Sequence, residues 1–169
     1  MATTKMWSVK NRLDHVLEYV SNEDKTIAKL GSYVSRNEAT ENQKYMTCVN
    51  CSGNDPFTSM MNLKDVYHDT SNIIAYHAIQ SFKPYETNAD TVHEIGVETA
   101  TRLYGDRYQF VVCTHLDKDH LHNHIVLNPI SIVDGKRYHN SMKDIYQLRE
   151  VSDEICKEYG LSIVEKPQE

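Results

Sequence analysis

The sequence has no long apolar run and few cysteines. Without a stretch of about 18 consecutive apolar residues, no transmembrane helix is expected. The N-terminal MATTKMWSVKNRLDHV is charged within its first five residues and has no apolar signal core, so secretion is not expected. The four cysteines, at positions 48, 51, 113 and 156, are too few and too unevenly placed for a disulfide framework. We therefore predict a cytoplasmic, reducing environment.

Positive charge is scarce as well. Eighteen Lys and Arg residues stand against 24 Asp and Glu residues, which gives a formal net charge of −6 at pH 7. Phosphate binding needs Lys and Arg, so this balance argues mildly against a protein that coats itself with nucleic acid. It remains compatible with one basic groove, because net charge describes the whole surface and a site occupies one face.

The chain also lacks internal repeats and low-complexity tracts. Its 169 residues suffice for one domain with its own hydrophobic core. The polar ending SIVEKPQE, after a helical pattern, is typical of a domain boundary. We predict a single domain over residues 1–169 that forms the N-terminal part of a longer protein.

Strand and helix patterns follow one another along the chain. The predicted strands are TKMWSV, KYMTCVN, NIIAYHAIQSF, RYQFVVCTH and HNHIVLNPI. Helices are predicted from Asn11 (with Asp14 as a capping box), around TSMMNLKDVYHD, from Asn88 to Tyr104 before Gly105, and from Ser141 and Asp144 to Tyr159 before Gly160. Residues 21–43 are predicted to be a loop with a helical turn. This order indicates an α+β fold in which a sheet with an antiparallel hairpin packs against helices.

Histidine is concentrated in the segment THLDKDHLHNHIVLN, residues 114–128, which holds four of the nine histidines. Alternate residues of a strand share a face, so His122 and His124 project from the same side. If the hairpin pairs His115 opposite either of them, the three imidazoles converge closely enough to hold one ion. Three neutral imidazoles with open coordination positions are typical of a catalytic metal.

The turn of this hairpin contains Asp117, Asp119 and His120. A carboxylate there can orient a ligating imidazole through its second nitrogen, and Asp117 is the first candidate. The alternative is a solvated turn with surface histidines, which three histidines of one strand parity make less favourable. Cys113 shares that parity but lies deeper, so we assign it to the core. The CVNC pair, residues 48–51, is assigned a structural role, with reactive thiols as the second choice.

Tyr19 lies about 110° round the first helix from the centre of its apolar stripe. It therefore belongs to the flank of the helix, from which a side chain can overlook a sheet. The chain has eleven tyrosines, so this geometry alone favours a structural role.

Three motifs now appear in order: EYVSNEDKT (18–26), YHAIQSFKPYE (76–86) and HLDKDHLHNHIVLN (115–128). They resemble the motifs of MobP-class conjugative relaxases, within the HUH endonuclease superfamily, over about residues 5–128. The resemblance implies a five-stranded antiparallel sheet flanked by helices, with one divalent metal on the central strands. It further implies that Tyr19 attacks the scissile phosphate of an origin of transfer, leaving a 5′-phosphotyrosyl link and a free 3′-hydroxyl.

Carried over residue by residue, the resemblance gives the metal ligands as His115, His122 and His124. It places Ser81 near the DNA phosphate and His120 outside the ligand set. The remaining candidates for supporting the ligands or binding DNA are His77, Glu86, Lys83, Lys25 and Asp117. One departure is Tyr85, where relatives often have glycine. Three imidazoles favour zinc or a transition metal, whereas the resemblance indicates magnesium or manganese.

The predicted partners are single-stranded or hairpin DNA of the origin of transfer, accessory relaxosome proteins and a coupling protein. A rolling-circle replication initiator shares the chemistry, but its histidines usually precede its tyrosine, and here they follow it. Two further functions would use the same histidines. One is a metal-dependent hydrolase in which water is the nucleophile, and the second is a non-catalytic, metal-stabilised DNA-binding module.

Overall fold

The structure is a computed structural model that describes residues 2–10, 12–21 and 45–165. These residues form five strands: β1 (Thr3–Val9), β2 (Met46–Val49), β3 (Ala75–Ser81), β4 (Tyr108–His115) and β5 (His122–Ser131). They also form four helices: α1 (Leu13–Val20), α2 (Pro56–Val66), α3 (Ala89–Tyr104) and α4 (Met142–Glu158). None of these helices is long and apolar enough to cross a membrane.

The strands make one sheet in the order β1-β3-β5-β4-β2, and every neighbouring pair is antiparallel. The predicted α+β fold with a five-stranded antiparallel sheet is therefore confirmed. Strand β5 lies at the centre, and all ten of its residues are buried. Such continuous burial requires that helices cover both faces of the sheet.

Helices α1 and α2 cover one face, and α3 and α4 cover the other. On the first face, Leu13, Leu17 and Val20 of α1 pack with Met60 of α2 against strand residues such as Val126. The spacing of these three α1 residues, at i, i+4 and i+7, is that of an amphipathic helix with one buried stripe. On the opposite face, residues of α3 and α4 (Ala100 and Leu148) pack against Val112 and Ile125.

The helix ends show which local signals the sequence carries. The Ser141–Asp144 capping box of α4 is present, and Asn88 caps α3 through a hydrogen bond from the Thr91 amide. Helix α2 begins earlier than predicted, at Pro56, because the Asp55 side chain accepts a hydrogen bond from the Thr58 amide.

The predicted capping box of α1 is not tested in full, because Asn11 lies outside the described residues. The N-cap position is Arg12, which makes no side-chain cap hydrogen bond, and Asp14 pairs instead with the Arg12 guanidinium. The predicted loop over residues 21–43 also falls outside the described residues, except for Ser21.

Candidate active site

Three histidines converge where β4 ends and β5 begins. His115 pairs directly with His122, and His124 follows two residues later on the same face. Each of the three rings offers a nitrogen atom that lies within 4.8 Å of the other two. All three side chains are buried. The predicted convergence of the three imidazoles, hereafter the three-histidine cluster, therefore occurs in the structure.

The second nitrogen of each ring has a defined partner. His115 Nε2 donates to the carbonyl of Val20 at 2.9 Å, and His122 Nδ1 donates to the carbonyl of His120 at 3.3 Å. A carbonyl can only accept a hydrogen bond. These two contacts therefore place the ring protons on His115 Nε2 and His122 Nδ1, so that in the neutral rings the lone pairs belong to the other nitrogens. His124 Nδ1 lies 2.8 Å from Nε2 of His77.

Asp117 was the first candidate to orient one of these rings. It is exposed, and in the part of the chain that the structure describes, the acceptors of the ring protons are backbone carbonyls and a fourth imidazole. The hairpin turn thus contributes through the carbonyl of His120 rather than through a carboxylate. An orienting role for Asp117 has no support in this geometry.

Burial keeps two of these imidazoles, those of His122 and His77, neutral. It lowers the pKa of His122 to about 4 and that of His77 to about 4, well below the ordinary value near 6.5. A metal ligand must present an unprotonated nitrogen, so such rings bind a cation without first losing a proton. The donor set of three buried, converging imidazoles fits one divalent ion and leaves further coordination positions open for other ligands.

Tyr19 lies at the C-terminal end of α1, directly before Val20. Its ring centroid is 5.8 Å from that of His115 and 5.6 Å from that of His124, and both contacts are edge-on. The side chain is 47% exposed. Burial of the neighbouring Val20 and of Leu17 fixes the helix end above the sheet. Tyr19 therefore occupies the flank position that its helical angle predicted, beside the three-histidine cluster and open to solvent.

The second motif lies at the outer edge of the cluster. Ser81 pairs with His122 across β3 and β5. It lines a cavity of about 710 Å³ together with Lys83 and His120. The Glu86 carboxylate accepts a hydrogen bond from the Ser162 amide at 2.7 Å and so ties the loop after β3 to the segment after α4. Lys25 lies outside the described residues.

Two neighbours of the cluster were missed by the sequence analysis. Trp7 on β1 pairs with His77 on β3, and their ring centroids lie 4.5 Å apart. The carbonyl of Val20 is the acceptor for His115. Both contacts join segments that are far apart in sequence. Every residue has a backbone carbonyl, so the residue type does not show which carbonyl will accept a hydrogen bond. Trp7, His77 and Tyr19 also line a cavity of about 1050 Å³ between β1, α1 and α2.

The opposite face of the same strands carries a buried polar network, hereafter the back-face network. Asn123, between His122 and His124, accepts from Thr114 Oγ1 at 2.6 Å and donates to Gln80 Oε1 at 2.9 Å. It also donates to the carbonyl of Val92 at 2.7 Å. Thr114 in turn accepts from Nδ1 of His93 at 2.8 Å. The network spans β3, β5 and β4 directly behind the three-histidine cluster.

Three of the four cysteines pack in the core on the α1 face. Cys113 is fully buried in the core on the α1 face, as predicted. Cys48 and Cys51 are half-buried free thiols that pack against the same core, which agrees with a structural role.

Comparison with known proteins gives a consistent result. The family model described as "Relaxase: MobA/VirD2-like, nuclease domain" matches residues 19–161. Protein rlx of Staphylococcus aureus is 35% identical over 133 residues, which cover 79% of this chain and 41% of that protein. The group II intron-interrupted relaxase LtrB of Lactococcus lactis is 30% identical over an alignment that covers 94% of this chain and 33% of LtrB. The chain thus spans less than half the length of these relatives.

A solved structure described as "Molecular Basis of Vancomycin Resistance Transfer in Staphylococcus aureus" has the same fold, with a TM-score of 0.59 and 13% identity. The superposition covers 100% of this chain and 99% of that one. The resemblance drawn from the three sequence motifs is confirmed by the family match, which extends over most of the chain. The chain belongs to the family of MobA/VirD2-like relaxase nuclease domains.

Proposed function

We propose that this chain is the nicking domain of a conjugative or mobilisation relaxase, which cuts one DNA strand at a specific site of an origin of transfer. The observation that supports this most directly is the position of Tyr19. Its exposed ring lies within 6 Å of two imidazoles of the three-histidine cluster. A phosphodiester held at the cluster would therefore lie beside the phenol oxygen, which is the arrangement that nucleophilic catalysis needs.

The proposed reaction is a transesterification. Tyr19 Oη attacks the scissile phosphorus, a new P–O bond forms, and the bond to the 3′-oxygen of the preceding nucleotide breaks. The phenol gives up its proton, and the leaving oxygen gains one and becomes a free 3′-hydroxyl. The 5′ end of the strand stays on Tyr19 as a phosphotyrosyl ester. No water is consumed and the number of phosphate ester bonds is unchanged, so a 3′-hydroxyl can attack the same ester and rejoin the strand.

His115, His122 and His124 are proposed to hold one divalent cation. When bound, the cation neutralises part of the phosphate charge and makes attack by a phenolate feasible. The protein contributes by burying the rings, by lowering the pKa of His122 through that burial, and by fixing the ring orientations through their second nitrogens. Helix α1 contributes by holding Tyr19 beside the rings, so that the nucleophile is already positioned before the reaction begins.

The proposed substrate is single-stranded or hairpin DNA, with Ser81 and Lys83 beside the scissile phosphate at the outer edge of the cluster. The net charge of −6 indicates that one domain gains only part of its DNA affinity from charge. We therefore include accessory relaxosome proteins and a coupling protein among the proposed partners.

The test is covalent capture. The protein is incubated with Mn²⁺ and end-labelled single strands tiled across the replicon that carries its gene, and denaturing gels are examined for a protein–DNA adduct. Tyr19→Phe and EDTA should each abolish the adduct. Tyr146→Phe is the matched control, because Tyr146 is also an exposed tyrosine but lies on α4, on the opposite face of the sheet, and should leave the adduct unchanged.

Different outcomes would favour different functions. Cleavage without an adduct would indicate that water is the nucleophile and that the domain is a metal-dependent hydrolase. An adduct that persists in Tyr19→Phe would assign the nucleophile to a different residue, with His15 and Tyr33 tested next. DNA binding without cleavage by any metal would leave only a non-catalytic binding module.

A further inference from the structure

His124 differs from the other two members of the three-histidine cluster in the partner of its second nitrogen. His115 and His122 face backbone carbonyls, which can only accept a hydrogen bond. His124 faces Nε2 of His77, and an imidazole nitrogen can either donate or accept. The protonation of His124 therefore depends on which tautomer His77 adopts.

Only one of the two arrangements suits a metal ligand. If His77 Nε2 carried the shared proton, a neutral His124 would carry its own proton on Nε2 and could not ligate through that atom. If His124 Nδ1 carries the shared proton, Nε2 of His124 keeps its lone pair. That Nε2 atom is buried, and it is the ring nitrogen that does not face His77. We propose that His77 is a positioning residue: it accepts the hydrogen bond from His124 Nδ1 and thereby fixes the tautomer in which His124 binds the metal.

The surroundings of His77 match this role. The side chain is 6% exposed, and its ring lies between Trp7, at 4.5 Å between centroids, and His124, at 5.0 Å. His77 is not a member of the group of convergent ligand atoms, which comprises only His115, His122 and His124 among the described residues. Its strand position also separates it from the ligands, since His77 pairs with Val126 and reaches His124 diagonally. His77 thus supports a ligand and is not itself one.

This inference rests on the proposed metal-dependent function, but its first test needs neither DNA nor metal. Long-range ¹H–¹⁵N correlation spectra of metal-free protein labelled at histidine show which nitrogen of each ring carries the proton. The expected result for the wild type is a proton on Nδ1 of His124 and on Nδ1 of His77. A proton on Nε2 of His124 would overturn the proposal. Because this measurement uses the wild type, it decides the question even if a variant does not fold.

Two variants then measure the consequence. His77→Phe keeps a ring against Trp7 but removes the acceptor, whereas His77→Gln places an amide oxygen where Nε2 lies. In a calorimetric titration with Mn²⁺, His77→Phe should bind about 10- to 100-fold more weakly, as loss of a partner that orients a metal ligand typically causes. His77→Gln should stay close to the wild type. The matched control is His139→Phe, which changes an exposed histidine far from the cluster and should have no effect.

The outcomes separate the two proposals. If the wild type binds Mn²⁺ and His77→Phe binds it equally well while its spectrum shows a folded protein, the role of His77 is refuted and the proposed function stands. If the wild type binds no divalent metal, the metal requirement of the proposed function fails. In that case, the tautomer of His124 seen in the ¹H–¹⁵N spectra still tests the role of His77.

Discussion

The two faces of β3, β5 and β4 both bury polar side chains, but those side chains have different hydrogen-bonding partners. On the α1 face, the three-histidine cluster presents ring nitrogens that converge on one point. On the opposite face, the side-chain amide of Asn123 donates hydrogen bonds to Gln80 and to the carbonyl of Val92, and it accepts one from Thr114. One face thus groups ring nitrogens close to one another, as the proposed cation site requires, and the other satisfies its polar atoms within the protein.

This difference arises from strand parity. Along β5, His122 and His124 point to the cluster, and Asn123 between them points to the back-face network. Across the sheet, Gln80, Asn123 and Thr114 form one row of paired residues, and Ser81, His122 and His115 form the next. A slip of one residue would exchange the two faces. We infer that the back-face network fixes the register on which the cluster depends.

The largest effect is expected from Asn123→Ala. The change removes three hydrogen bonds. It deprives Gln80 Oε1 of its donor and the Thr114 hydroxyl proton of its acceptor, although Thr114 Oγ1 still accepts from His93 Nδ1. The free energy of unfolding should fall by about 3–5 kcal/mol, since each orphaned buried group costs about 1–3 kcal/mol. Urea denaturation of the metal-free protein measures this. His122→Phe, one residue away, keeps a ring in the buried position but loses one long hydrogen bond of 3.3 Å. It should cost about 1 kcal/mol while abolishing Mn²⁺ binding. Equal destabilisation by the two changes would contradict the proposed division between the faces.

Gly96→Ala tests how tightly the network is packed. A Cβ at Gly96 would lie 2.4 Å from Asn123 Nδ2 and 2.6 Å from its Cγ. We expect destabilisation by about 1–3 kcal/mol, the usual cost of overpacking. In the Asn123→Ala background the two shortest contacts are removed and only the one with Cβ of residue 123, at 3.2 Å, remains. There the same change should cost much less or be neutral, because alanine favours helices by about 1 kcal/mol over glycine.

The control for this cycle is Gly53→Ala, where a Cβ would meet no atom within 4 Å. It should change stability by about 0.5 kcal/mol or less in either background, as surface substitutions usually do. Additive effects of Gly96→Ala and Asn123→Ala would show that the helix and the network are not in contact as described.

A smaller effect is expected from acid titration of His93, whose pKa burial lowers to about 4 although the charge of Asp90 opposes the shift. The folded pKa lies below the unfolded value near 6.5, so between these values the unfolded chain binds a proton that the folded protein excludes. Stability should therefore fall as the pH drops from about 6.5 towards 4, and this residue should contribute about 2 kcal/mol of that loss by about pH 5. His77 and His122 have the same sign.

Urea midpoints of the wild type and of His93→Gln, measured from pH 7.5 to pH 4.5, isolate this contribution. The variant should be less stable at neutral pH but should lose less stability on acidification. An identical pH dependence of the two proteins would show that His93 titrates in the folded protein as it does in the unfolded chain.

Local signals in the sequence sufficed for the N-terminal ends of α3 and α4 and for the parity of the histidine hairpin. The capping box at Ser141 and the alternation of His122 and His124 involve neighbours in the chain, and both predictions hold. The flank position of Tyr19 followed from the helical repeat of α1 alone. Positions on a helix or strand repeat every 3.6 or 2 residues, so the pattern of side chains in the sequence shows directly which residues share a face.

The contacts that complete the site depend on tertiary structure. The contact of Trp7 with His77 requires the pairing of β1 with β3, and the bond from His115 to Val20 requires the docking of α1 on the sheet. Neither the order of the strands in the sheet nor the docking of a helix on it can be predicted from a local sequence pattern. The general rule that a ligating histidine has a carboxylate or carbonyl partner indicated Asp117, but backbone carbonyls and His77 lie at the positions where a partner is needed.

The smallest effect is expected from Lys83→Ala and concerns how the cluster face meets DNA. Lys83 is exposed beside Ser81 and His120, whereas Lys136 lies after β5 with its ammonium 3.8 Å from Asp134. If Lys83 contacts one phosphate of a single strand, its loss should reduce the slope of log K against log salt by about 0.7. Fluorescence anisotropy of a labelled single strand across a NaCl series measures this, in the Tyr19→Phe background to prevent cleavage.

Lys136→Ala removes the same charge at the other end of β5 and should leave the slope unchanged. Equal changes in the two variants would mean that DNA responds to the overall charge of the domain and not to a local groove. A change confined to Lys83 would instead show that an acidic protein binds a polyanion through one face, because screening limits each charge to a range of about 10 Å at 0.1 M salt. The acidic residues elsewhere would then lie too far from the strand to oppose binding at the three-histidine cluster.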